Sequence, residues 1–114
     1  MRKILSNISF ILYWFYFHYI GGNGGGSALN QLSGPNSVYY DYLYTNSLYV
    51  VDSGNNRVLK FPSNSTSANN GIVVAGGNSA GNAANQLNVP RTIVVGSNGT
   101  MYISDGSKKK DPIF

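Results

Sequence analysis

Leu48-Tyr-Val-Val-Asp52-Ser-Gly-Asn-Asn-Arg57-Val-Leu-Lys-Phe61 is the stretch on which the fold turns. Leu48 to Val51 is a short apolar run of strand formers. Arg57 to Phe61 is a second strand, with Val58 and Lys60 on one side and Leu59 and Phe61 on the other. Between them, Gly54, Asn55 and Asn56 tolerate the left-handed backbone of a hairpin reversal. That reversal sets the Asp52 carboxylate beside the Arg57 guanidinium, and a charge-assisted bond there pins the turn.

The surrounding chain repeats. Gly21-Gly22-Asn23 returns as Gly76-Gly77-Asn78, Asn30-Gln31-Leu32 as Asn85-Gln86-Leu87, and Pro35 as Pro90, each 55 residues on. Leu48-Tyr49-Val50 and Asp52 return as Met101-Tyr102-Ile103 and Asp105, 53 residues on. A fixed internal period marks a repeat architecture. One unit reads as strands at about Ser37–Asp41, Leu48–Val51, Arg57–Phe61 and Gly71–Ala75. A turn over Tyr42–Ser47 and a polar loop over Pro62–Asn70 join them. The residues from Gly76 to Val89 cross to the next unit, with strands at about Thr92–Val95 and Thr100–Ser104 around Ser97-Asn98-Gly99. After Asp105 the pattern fails: no Arg stands where Arg57 does, and Pro112 lacks the amide that a ladder needs.

The Leu48–Phe61 stretch resembles an NHL repeat, one blade of a β-propeller, in its order of strand, Asp-Ser-x-Asn-Asn-Arg turn and strand. The resemblance covers about Gly21 to Asp105. It implies an all-β fold: a partial β-propeller with one complete four-stranded blade (about 35–75), a second partial blade (about 90–105) and part of a preceding one. A hydrophobic segment (1–20) leads it and a divergent tail (106–114) follows. Blades bury their faces on their neighbours. The expectation is therefore a piece of a larger propeller, or a chain that associates with copies of itself through exposed blade faces and edges.

A chain of 114 residues has room for one small domain. Charged residues make up 11%, against the usual quarter, and the polar surface is Asn, Ser, Gly and Tyr, which suits strands and turns. The net charge of +4 is scattered, with Arg2 and Lys3 at one end and Lys108–Lys110 at the other, so no basic face for nucleic acid is expected. The absence of cysteine excludes disulfides and thiolate metal sites. Met1-Arg-Lys followed by the apolar run Ile4–Ile20 has the layout of a signal or membrane anchor, which tilts the expected location towards secreted or membrane-associated. The repeat frame offers another reading, because Phe17–Ile20 aligns with Ile72–Ala75 as the outer strand of a truncated blade.

Chemistry is sparse. The glycines 21–26 lack the Gly-Lys-Ser/Thr and following helix of a phosphate loop, and their recurrence at Gly76 marks a crossover turn. His18 is the only histidine and no serine and acid are arranged around it in the sequence, so no acid–base enzyme using histidine, and no catalytic residue, metal site or cofactor, is expected. Asp52 and Arg57 read as a structural turn pair, while Asp41 and Asp111 have no evident partner. Tyr39, Tyr40, Tyr42, Tyr44 and Tyr49 group around the first two strands, where they pack between blades or form a ligand-facing rim. Asn7, Asn64 and Asn98 fit the glycosylation sequon, Asn64 in the polar loop best. The resemblance implies a non-catalytic scaffold that binds a protein partner through blade-end loops, with Tyr42, Tyr44 and Asn64 as candidate contacts. The alternatives are part of a propeller enzyme of the amidating-lyase or lactonase kind, and a membrane-tethered extracellular propeller.

Overall fold

The computed structural model describes residues 25–66 and 69–106. Over that span the chain is all-β. The strands are β1 (Ser37–Asp41), β2 (Ser47–Asp52), β3 (Arg57–Phe61), β4 (Ile72–Gly76), β5 (Pro90–Val95) and β6 (Met101–Asp105). The first four form one antiparallel sheet in chain order, and β5 and β6 form a second. The expected four-stranded unit is therefore present. The amino-terminal segment 1–20, His18, Asn7, Asp111 and Lys108–Lys110 lie outside the described residues.

The register follows from the side-chain pattern. Tyr49 stands opposite Lys60, Val50 opposite Leu59 and Asp52 opposite Arg57. Alternation then divides the sheet into two apolar faces. One face carries Leu48, Val50, Leu59 and Phe61, with Val38 and Tyr40 against them. Among the described residues, Leu32 is the one member of that cluster from outside the sheet. The other face carries Tyr49, Val51, Val58 and Ala75, and it is closed by Leu87, Ile93, Val95, Met101 and Ile103. This second cluster is the core between the sheets. A β-bulge at Val74 lets the consecutive Val74 and Ala75 both reach it. Tyr39 meets Tyr49 edge-on at 6.4 Å and 68°. The Tyr39 hydroxyl donates to the carbonyl of Val95 at 3.1 Å, which ties β1 to β5. Lys60 rests over the Tyr49 ring at 5.7 Å.

The turns differ from expectation in detail. Residues Ser53–Asn55 form a single 3-10 turn, and only Asn56 takes the left-handed conformation, at φ 52°. Gly54 does not. Its absent side chain serves a close approach instead: a Cβ there would sit 2.3 Å from the carbonyl oxygen of Ser33. At Ser97-Asn98-Gly99 only Gly99 has positive φ, at 83°, so the hairpin is a three-residue loop with a left-handed third position and not the paired Asn-Gly type. Strand β5 opens at Pro90, two residues before the expected Thr92, as a first strand position allows.

The sequence repeat is also a repeat of bonds. The amide of Gly26 donates to Leu32 and that of Gly81 to Leu87; Gln31 donates to Ala28 and Gln86 to Ala83. Gly25 bridges Leu32 as Ala80 bridges Leu87. The side-chain oxygen of Gln31 accepts from Ala28 as that of Gln86 accepts from Ala83. Each pair lies 55 residues apart, so the two connections entering the two sheets are built alike.

Candidate functional site

Antiparallel order gives the four-stranded sheet two ends. The β2–β3 turn and the entering connections lie at one; the β1–β2 and β3–β4 loops lie at the other. The first end is a clasp. Asp52 is fully buried, and its Oδ2 accepts from Arg57 Nε at 2.9 Å and from Asn55 Nδ2 at 2.8 Å. Its Oδ1 accepts from the amide of Ser33 at 2.7 Å. The Arg57 guanidinium spends its other donors on carbonyls, Nη1 on Ser27 and Nη2 on Ala28 and Gln31. Asn55 adds a bond to the carbonyl of Gly26. The expected turn pair therefore does more than lock its turn. It holds a connection about 30 residues earlier, and every charged atom involved is hydrogen-bonded, as a buried pair requires.

The second unit reuses part of this device. Both oxygens of Asp105 accept from the amide of Asn88, at 2.9 and 3.1 Å, as Asp52 accepts from Ser33. The clasp also reaches forward: the Asn56 side chain accepts from the amide of Val89 at 2.8 Å, and the Ser53 hydroxyl donates to the carbonyl of Pro90. Sequence reasoning missed these long-range partners. The recurrence of Asn-Gln-Leu and of Pro was their one visible signal.

The loop end is different in kind. Tyr42, Leu43 and Tyr44 are 46%, 67% and 62% exposed. The loop that carries them is firmly closed. The amide of Asn46, which is left-handed at φ 54°, donates to the carbonyl of Asp41 at 2.7 Å. Thr45 Oγ1 donates to Asp41 Oδ2 at 2.7 Å and accepts from the amide of Ser47. Tyr40 donates to Asn46 Oδ1 at 3.1 Å and lies 6.4 Å from the Tyr42 ring at a 32° tilt. Asp41 is therefore a buried, partnered residue, contrary to the sequence reading. Asn64 sits on the other loop of the same end, exposed and left-handed at φ 67°. Asn98 uses its side-chain oxygen to accept from Thr100 within the β5–β6 loop. Burial, with Asp41 behind it, raises the phenol of Tyr39 above its ordinary value of 10.0. Its proton is the one that reaches Val95.

Among the described residues no three His, Cys, Asp or Glu side chains gather where a metal could bind. The geometry defines an all-β protein of two stacked antiparallel sheets, with a buried ionic clasp at one end and an exposed tyrosine loop at the other. The chain matches no protein-family model and no curated protein sequence.

Proposed function

We propose that the chain is part of an NHL-type β-propeller and works as a non-catalytic binding module for a protein partner. The loop end, Tyr42–Ser47 together with Pro62–Asn70, is its recognition surface. One observation carries this reading: three consecutive bulky side chains stand exposed on a loop that four hydrogen bonds hold in one shape. Rigid exposed aromatics contribute contact area at small entropic cost, which is why tyrosine is enriched at interfaces. The recurring connections support the repeat assignment, and the ion pair of Asp52 and Arg57 supports the match to the turn motif.

Affinity capture from the source organism's extract, with wild type beside a Tyr42→Ser/Tyr44→Ser/Asn64→Gln variant, tests the surface. The reading expects at least one protein retained by wild type and lost from the variant. Identical captures would refute it.

A further inference from the structure

A row of open amides and carbonyls along the rim of a sheet accepts one kind of occupant, another strand. The four-stranded sheet ends in β1 and β4, and the second sheet in β5 and β6. Three of these rims carry something that resists addition. β1 lies against β5, tied to it through Tyr39 and Val95. β5 opens with Pro90-Arg91, and β6 closes with Asp105. Proline and charge are the usual means of blunting an edge. β4 is Ile72-Val-Val-Ala-Gly76, with neither. Its one irregularity is the bulge at Val74, which turns that side chain into the core. Ile72 and Val73 precede the bulge and are 51% and 41% exposed. They lie on opposite faces, because they pair with the consecutive Lys60 and Leu59. The strand is fixed at both ends: the amide of Gly71 donates to the carbonyl of Leu29 at 2.7 Å, and that of Gly77 to the carbonyl of Asn56 at 2.9 Å. Among the described residues no strand pairs with its outer side.

Charge decides whose strand it is. Lys60 stands in the cross-strand row of Tyr49, Lys60 and Ile72, next to β4. Its ammonium lies over the Tyr49 ring and makes no ion pair among the described residues. A second copy of the chain offers it no counter-charge from the described carboxylates, because Asp41, Asp52 and Asp105 are all buried. We propose that β4 takes up an extended segment of another protein as a fifth strand. That segment carries apolar side chains on the Val73 face and a carboxylate on the Ile72 face, directed to Lys60. Neighbouring strands lie about 4.8 Å apart, so the added strand stands about 10 Å from β3. A glutamate and Lys60, extended towards each other over Ile72, close that gap. Main-chain bonds to β4 supply the affinity, and the alternating side chains with the one ion pair supply the selectivity. The site is separate from the Tyr42–Tyr44 loop, and its test does not involve that loop.

The test titrates the full-length chain against a fluorescein-labelled, end-blocked peptide Thr-Val-Glu-Val-Thr-Val, and against the same peptide with lysine in place of glutamate, read by anisotropy. The glutamate peptide is expected to bind at least about threefold tighter, the effect of one partly exposed ion pair. Lys60→Glu is expected to reverse that order, and circular dichroism verifies that the variant keeps its strands. N-methylating the three valines, or the other three residues, blocks one edge of the peptide at a time. One of these changes is expected to abolish binding and the other to spare it. Bound peptide is expected to slow amide exchange in residues 72–75 and not in 101–105. No binding of either peptide, equal binding of the two, binding that survives both methylations, or protection of β6 in place of β4 would each overturn the proposal. So would a chain that sediments as a dimer with residues 72–75 protected before any peptide is added.

Discussion

Tyr49 and Tyr102 occupy the same place in two copies of one unit, yet the first is 5% exposed and the second 52%. Leu48 and Met101 correspond in the same way, as do Val50 and Ile103. In the first copy the Tyr49 face meets the second sheet; in the second copy Tyr102 and Val94, on the opposite face, stay about half exposed. Burial in this fold is thus a property of the neighbour and not of the residue type. The first sheet has the second to cover its Tyr49 face, and the second sheet leaves Tyr102 and Val94 largely exposed among the described residues. The clasp gives the same lesson in polar form. Asp52 and Asp105 each fasten the amide of the connection entering their sheet, but only Asp52 does so within a described network of Arg57 and Asn55.

The comparison can be broken most severely at the clasp. Asp52→Asn keeps the shape of the side chain and removes its charge, leaving the Arg57 guanidinium buried without its counter-ion. A loss of about 3–5 kcal/mol in urea unfolding is expected. Asp105→Asn is the matched change in the other copy, where the carboxylate accepts from the amide of Asn88. About 1–3 kcal/mol is expected there, and no loss would remove that bond from the account.

The core between the sheets offers a second pair. Ile103 is fully buried in it and Tyr102, its neighbour in sequence, points away. Ile103→Ala is expected to cost about 2–5 kcal/mol, and Tyr102→Ala to stay within about 0.5 kcal/mol of wild type. Equal costs would show that the second sheet does not stack as described.

A smaller effect than those of the clasp and the core belongs to Tyr39. Tyr39→Phe removes the bond to Val95 and is expected to cost about 1 kcal/mol near neutral pH. The folded protein holds this phenol's proton more tightly than the unfolded chain does. Well below pH 10 both states keep it and stability is unaffected. As the pH rises through 10 the unfolded chain loses the proton first, so stability falls until the folded phenol titrates as well. Tyr39→Phe should show a shallower alkaline decline in thermal melting, and a parallel decline would remove Tyr39 from the account.

Much of this was legible because strands write their own rule. Alternation in Val58-Leu59-Lys60-Phe61 sorted side chains onto the faces they occupy, and β1 and β3 begin and end where the sequence placed them. The opposition of Asp52 and Arg57 followed from counting residues across one turn. The partners of the same guanidinium did not, because nothing local in Arg57 points to Ser27, Ala28 and Gln31. Nor did the need for Gly54, which answers to a carbonyl 21 positions earlier and not to its own turn. Asp41 looked solitary because its partner, Thr45, is reached only once the loop has closed. Tyr42 and Tyr44 were visible as candidates, but their exposure beside the buried Tyr49 depended on where β1 stops.

The central claim is that two copies of one sheet unit stack in a fixed sense, the Tyr49 side of the first against the Ile103 side of the second. Methyl-to-aromatic nuclear Overhauser effects in the full-length protein test it directly. Cross-peaks from the Tyr39 and Tyr49 rings to the methyls of Ile93, Val95 and Ile103 are the predicted result. Cross-peaks from those methyls to Leu48, Val50 and Phe61 instead would contradict it.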